Sequence, residues 1–378
     1  MKRIFALAVA TFVSISCAEA AGTDGHVDYA QTARHLRELY VAMAGRPGGG
    51  ELQSALKAMI FASCVKKSAI ADEKPKEEKL DFEGARDNLR MFRESKAYRF
   101  VSPEEGQELR EVAEWMDRNA GSAVPTLSDA PISLAKKFAT TDELSGIELP
   151  PWAFAVPQGL APGDVVVRRQ DGYLDHAFKN ASTREKRFTH AGILVENDGR
   201  LVVASMFGSE TIMRGELRLQ SWLEYCAASV EVAAYRYSGK SASDVRVGIA
   251  AAAKRRKGLP LDFAFDLTTK DRLYCTELVR DCINEAAGRE VVGTTKADDF
   301  EYVAVDDCYR KDMEKVWDSI DERTSSPDEV VEAALRYLDA RLTSEVDKSA
   351  AGATSTITNV PVRRAVRFVP KSRGARRK

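Results

Sequence analysis

The sequence predicts an α+β protein in which an antiparallel sheet is packed on helices and preceded by a helical N-terminal region. Two observations carry this. Apolar residues recur three or four apart through most of the first 150 residues, and a Pro-rich passage, ELPPWAFAVPQGLAPGD, then gives way to short β-branched runs before helical periodicity returns. The 378 residues are long enough for two domains, and 44% hydrophobic with 30% charged residues is an ordinary globular balance. With 56 Lys and Arg against 57 Asp and Glu, bulk charge gives no case for a nucleic-acid partner.

Residues 1–20 read as a signal peptide. A basic pair precedes an apolar run from Ile4 to Ile15, and small residues follow at Ala18 and Ala20. The run is shorter than the roughly 18 residues a membrane helix needs. The expected product starts near Ala21 and is exported to the periplasm or the extracellular space. Anchoring as a lipoprotein through Cys17 is the rival reading, against which SISC places Ser where Leu is usual.

Residues 21–150 read as a helical N-terminal region. Its segments include YAQTARHLRELYVAMAG, ELQSALKAMIFASCVKKSAI and PEEGQELREVAEWMDRNA. The last opens on Ser102, Pro103 and Glu105, a capping box with proline at the first helical position. RPGGGE lacks the Gly-Lys-Ser/Thr of a phosphate loop and reads as a connector.

Residues 151–345 form the expected second domain. The runs DVVVRR, RFTHAGILVE, RLVVASMF and VEVAAYRY read as strands. The second and third are joined at Asn197-Asp198-Gly199, a hairpin signal. A two-residue turn there pairs Gly192 with Ser205 and puts Ser205 on the face of His190, diagonally across about 7–8 Å. Helices follow at SASDVRVGIAAAAKRRKG, where Lys254 to Lys257 and Gly258 form an ordinary C-terminus, at DRLYCTELVRDCINEA, and at SSPDEVVEAALRYLDARL. Residues 346–378 read as a basic tail: the last eighteen hold eight Lys or Arg and no acid. Such a tail is disordered and solubilising, or a peripheral contact for anionic lipid or wall polymer.

Few residues could carry chemistry. There are four histidines, His26, His35, His176 and His190, and neither His-Glu-x-x-His nor Cys-x-x-Cys occurs, so no metal site and no cofactor are expected. Without the leader five cysteines remain, Cys64, Cys226, Cys275, Cys282 and Cys308, so at least one thiol is left over from pairing. On one helix Cys275 and Cys282 would lie about 10.5 Å apart at 1.5 Å per residue. That exceeds the roughly 7 Å limit for a disulfide. Cys275 follows the polar break TTKDR and begins an apolar-periodic run. Position alone reads it equally as a thiolate stabilised at a helix start or as a small buried residue. Cys282 reads as core. His190 offers a base, its alternative being a satisfied strand histidine.

Four pieces, PGDVVV, THAGILVENDGRLVVAS, GLPLDFAFD and LYCTELV, resemble in order and spacing the circularly permuted papain-like amidases. These are related to NlpC-type cell-wall peptidases, and the YiiX/YaeF-type group is the nearest. In that group the His strand precedes the Cys helix, as His190 precedes Cys275 here. The resemblance implies Cys275 as nucleophile, His190 as general base and Ser205 as the polar residue that orients it. It also implies a substrate-binding role for Asp164, Leu261, Asp262 and Tyr274. The family's third position commonly carries Glu, whereas Ser205 is short, and Leu261 replaces an aromatic. Glu277 matches a recurrent family acid and reads as structural support, since residues two apart on a helix do not face each other.

The chemistry implied is amide hydrolysis through a Cys-His acyl-enzyme, with the Cys275 backbone N–H as oxyanion donor. Cell-wall peptide amides are the first expected substrate. Fatty-acyl amides or esters are the second, with acyl transfer in place of hydrolysis on the same fold. A non-catalytic peptide- or lipid-binding module is the competing class, and a third possibility makes the N-terminal half the main interaction surface.

Overall fold

The structure, a computed structural model, describes residues 57, 60, 82–119, 149–170, 173–209, 214–227, 229–322 and 329–338. The leader, the basic tail, Cys17, Cys64, His26 and His35 lie outside the described residues. Two helices come first, α1 (Phe82–Glu94) and α2 (Pro103–Asn119). The expected capping box starts α2: Ser102 N–H donates to Glu105 Oε2 at 2.7 Å and Glu105 N–H to Ser102 Oγ at 3.2 Å. The two bonds satisfy donors that the first helical turn leaves without acceptors.

Six strands form one sheet: β1 (Val165–Arg169), β2 (His190–Asn197), β3 (Arg200–Ser209), β4 (Arg214–Ser221), β5 (Glu231–Tyr237) and β8 (Met313–Asp318). Their order is β4-β3-β2-β1-β5-β8, and every pairing is antiparallel. Between them stand α3 (Tyr173–Ala181), α4 (Trp222–Ala227), α5 (Ala242–Arg255), α6 (Cys275–Ala287) and a separate small ribbon of β6 (Thr295–Ala297) and β7 (Phe300–Tyr302). A last helix, α7, covers 329–338. The strand β4, the helices α3 and α4 and the strands β6 to β8 were not among the expected elements.

The β2–β3 hairpin has the expected register. Asn197 pairs with Arg200 and Gly192 with Ser205. Asp198 and Gly199 both take positive φ, 49° and 72°, as the turn requires. Gly192 is fixed by crowding, because a Cβ there would lie 2.8 Å from Val203 Cγ1 and 2.9 Å from Ser205 Cβ.

The sheet is buried on both faces. Val165, Val167, Ala191, Ile193 and Ala204 belong to an apolar cluster that contains α5 and α6 residues such as Ile249, Leu278 and Val279. Val166, Leu194, Val203 and Ala234 belong to a second cluster with Trp222, Leu223 and Tyr225 of α4 and with residues 330–338. Strand alternation divides the two sets. Leu89 and Phe92 of α1 and Leu109 of α2 join the first cluster, so the core continues across the boundary expected near residue 150. α5 ends where the sequence placed its stop, with Gly258 at φ 85°.

Gly192→Ala should destabilise the protein by about 1–3 kcal/mol through overpacking of the hairpin. Urea denaturation measures this, and an unchanged midpoint would mean that the β2–β3 contact has slack.

Candidate active site

Cys275 is the first residue of α6. Tyr274 is the N-cap, and the chain arrives extended because Leu273 bridges Leu261 in parallel while Leu273 N–H donates to the Pro260 carbonyl at 3.1 Å. The preceding loop is organised by Asp262, fully buried, whose carboxylate accepts the Ala264 and Asp266 N–H groups at 2.9 and 2.8 Å. Thr276 Oγ1 donates to the Val303 carbonyl at 2.7 Å, and Tyr274 Oη accepts Val303 N–H at 2.9 Å. These bonds tie the start of α6 to the segment after β7. A cysteine at such a start feels the positive end of the helix dipole.

Glu277 is the third residue of α6. It is 1% exposed, Arg280 Nη2 approaches Oε1 at only 3.4 Å, and Oε2 has no partner. Burial first, then the charge of Asp281, push its carboxyl up to about 8.

Beside Tyr274 lies a narrow apolar recess, bordered among others by Phe92, Phe178, Phe265, Phe300 and Tyr302. Phe178 stacks on Tyr274 at 6.4 Å between centroids, and Phe265 meets Tyr274 at 5.1 Å. The sequence singled out Tyr274 but not the aromatics around it, which come from α1, α3, β7 and the loop before α6 and converge only in the folded chain.

His190 and Ser205 are brought together on the sheet. His190 Nε2 lies 3.4 Å from Ser205 Oγ, and Ser205 Oγ donates to Gln220 Oε1 at 2.6 Å. Gln220, on the unanticipated β4, extends the expected pair to three. Burial and then the nearby Arg168 charge hold the His190 imidazole well below its usual range, so it is neutral at pH 7.

His190 pairs across the ladder with Arg168, and both share the face of Val166, Leu194 and Tyr225. Cys275 belongs to the opposite cluster, with α6 packed over Ala191 and Ile193. The physical reason is the pleat: α6 covers the odd-numbered residues of β2, and His190 is even-numbered. Of the expected substrate-binding residues, Tyr274 borders the recess and Leu261 is half-buried against the same cluster. Asp164 is fully buried, with Arg236 donating to its two carboxylate oxygens at 2.8 and 2.6 Å. Asp262 holds its loop.

Cys226, Cys275, Cys282 and Cys308 are all buried and none is in a disulfide. Burial pushes the Cys282 thiol up to about 12 and raises those of Cys226 and Cys308 as well. Among the described residues no group of three or more His, Cys, Asp or Glu is placed to hold a metal ion.

Residues 159–333 match the model of a family described as permuted papain-like amidase enzyme, YaeF/YiiX, C92 family. This segment is a permuted papain-like domain of that family. The domain thus has the amidase or peptidase class as its coarse functional assignment. Among solved structures, the crystal structure of metalloprotein yiiX from Escherichia coli O157:H7 is similar at 19% identity, covering 41% of this chain and 95% of that chain with a TM-score of 0.35. The comparison with curated proteins found no match.

The Glu277 environment has a measurable consequence for the permuted papain-like domain. Its folded carboxyl titrates near 8 against an ordinary 4.5, so between those values the folded state keeps a proton that the unfolded chain releases. Stability from this group is complete below 4.5 and is lost as pH rises through 8. Urea unfolding of Glu277→Gln at pH 5, 6.5 and 8 should show a flatter pH dependence than the parent. An identical slope would mean that Glu277 is ionised in the fold.

Proposed function

We propose that the domain is a cysteine amidohydrolase in which Cys275 is the nucleophile. The observation that carries this reading is the place of Cys275: first residue of a thirteen-residue helix, with a rigidly tied N-cap, Tyr274, that borders the aromatic recess. The thiolate would attack an amide carbonyl, with the helix start favouring negative charge on sulfur and on the tetrahedral oxygen; the C–N bond would break as the amine takes a proton from the general acid, and water would then hydrolyse the thioester to a carboxylic acid and regenerate the thiol. A helix-start oxyanion donor is typically worth about 3–4 kcal/mol of barrier.

His190, Ser205 and Gln220 lie in the layer of Tyr225, which leaves room for a rival histidine in proton transfer to and from Cys275. The remaining histidine of the matched segment is His176, on α3. Histidine replacement at 176 and 190 decides between them.

For the substrate, amides of cell-wall peptides remain the first choice, in keeping with a chain read as exported. A second reading is a fatty-acyl amide or ester, supported by the aromatic and aliphatic character of the recess lining next to Tyr274. Contact of the basic tail with anionic lipid or wall polymer would place the enzyme near either.

The test is trapping. Incubation of the full chain with activated peptide and acyl anilides, quenched in acid and digested, should give an acyl adduct on the peptide containing Cys275. Cys275→Ala should lose both adduct and turnover, by at least about a thousandfold. Turnover that survives in Cys275→Ala would reject the reading, and the better of the two anilides names the substrate class.

A further inference from the structure

Arginines around the sheet are matched with acids. Arg236 meets Asp164 at 2.6 Å, Arg187 meets Asp318 at 2.6 Å and Glu231 at 2.7 Å, and Arg169 meets Glu231 at 2.9 Å. Arg168 differs from all of them. It is 6% exposed, yet no carboxylate of the described residues lies within ion-pair distance. Its guanidinium lies over the Tyr225 ring at 4.3 Å, and Nη1 donates to the Tyr225 carbonyl at 2.5 Å. Nε is buried without any partner. Nη2 makes none of the hydrogen bonds found for the side chain.

The surroundings do not neutralise the charge. His190 is beside it in the ladder and is held neutral by burial, and Ser205 and Gln220 are uncharged. Cys226, within reach of the Arg168 field, has its thiol raised by burial and stays protonated. Burying a cation with neither an acid nor a full set of acceptors costs several kcal/mol. The stacked ring returns only about 0.5–2 kcal/mol of this.

The unpaired donors have a definite arrangement. With Nη1 taken by the Tyr225 carbonyl, the Nε and Nη2 donors remain side by side in the plane of the guanidinium. Two parallel donors of that kind match the two oxygens of a carboxylate. We propose that the Nε–Nη2 edge of Arg168, on the His190 face of the sheet, is a binding site for a carboxylate. The ligand is either a small free carboxylate or the carboxylate terminus of a peptide chain, and both present the same planar pair of oxygens. The proposal is independent of the role given to Cys275.

The experiment uses the full chain with selectively labelled histidine at constant ionic strength. Acetate is titrated against a chloride control while the His190 resonances are followed. Bound acetate should shift them saturably and raise the pH at which His190 takes up a proton, because the neighbouring positive charge is neutralised. N-acetylalanine and its amide distinguish the sources: a chain-end site responds to the acid and not to the amide, and a small-ion site responds to acetate alone. Arg168→Met should abolish the response. Should that variant fail to fold, Arg168→Lys keeps the charge and loses the fork, and should weaken binding by roughly tenfold. No saturable acetate shift in the parent, or an unchanged one in Arg168→Lys, overturns the proposal.

Discussion

Burial of both faces of one antiparallel sheet is the constraint on which the rest of the domain depends. Where both faces are covered, each strand residue belongs to one layer or the other, and a slip of one position would exchange the layers completely. Gly192 against Ser205 and Val203 fixes β2 on β3 by contact. The Asp198–Gly199 turn fixes the same pairing through the backbone. Once these are set, α6 can rest only on Ala191 and Ile193, and His190 can face only the layer of Tyr225.

The two layers have different characters. On the α6 side the domain holds a cysteine at a helix start, a buried carboxyl that carries a proton, and an aromatic recess. On the α4 side it holds a neutral imidazole, a serine and a glutamine in one hydrogen-bonded row, with an arginine that has no acid. Nucleophilic chemistry suits the first environment, where positive potential meets an apolar pocket. Recognition of an anion suits the second. A permuted papain-like domain that separates the two would keep substrate chemistry and ligand sensing on opposite sides of a rigid sheet.

Much of this was legible in the chain. The turn dipeptide Asp198-Gly199 is local chemistry, and it gave the hairpin, its register and the neighbourhood of His190 and Ser205. The Ser102–Glu105 box gave the start of α2 for the same reason. What could not be read was the layer on which α6 would pack. In a strand buried on both sides, Ala191, Ile193 and Val195 are as apolar as the layer opposite, so hydrophobicity does not reveal which face meets the helix. Position in the family's order suggested that His190 and Cys275 would meet, and the pleat assigns them to different faces. β4 was missed because RGELRLQS alternates with charged residues and lacks β-branching. The aromatic recess was hidden for another reason, being assembled from segments up to two hundred residues apart.

The most direct measurement of the account is the rate of iodoacetamide labelling at Cys275 across pH 5–9, read by peptide mass spectrometry in the parent and in His190→Ala. The account predicts labelling well below pH 8 with a pH profile that His190→Ala leaves unchanged, while Cys226, Cys282 and Cys308 stay unlabelled in both. Loss of low-pH reactivity at Cys275 in His190→Ala would contradict it, because the two side chains would then have to meet in solution.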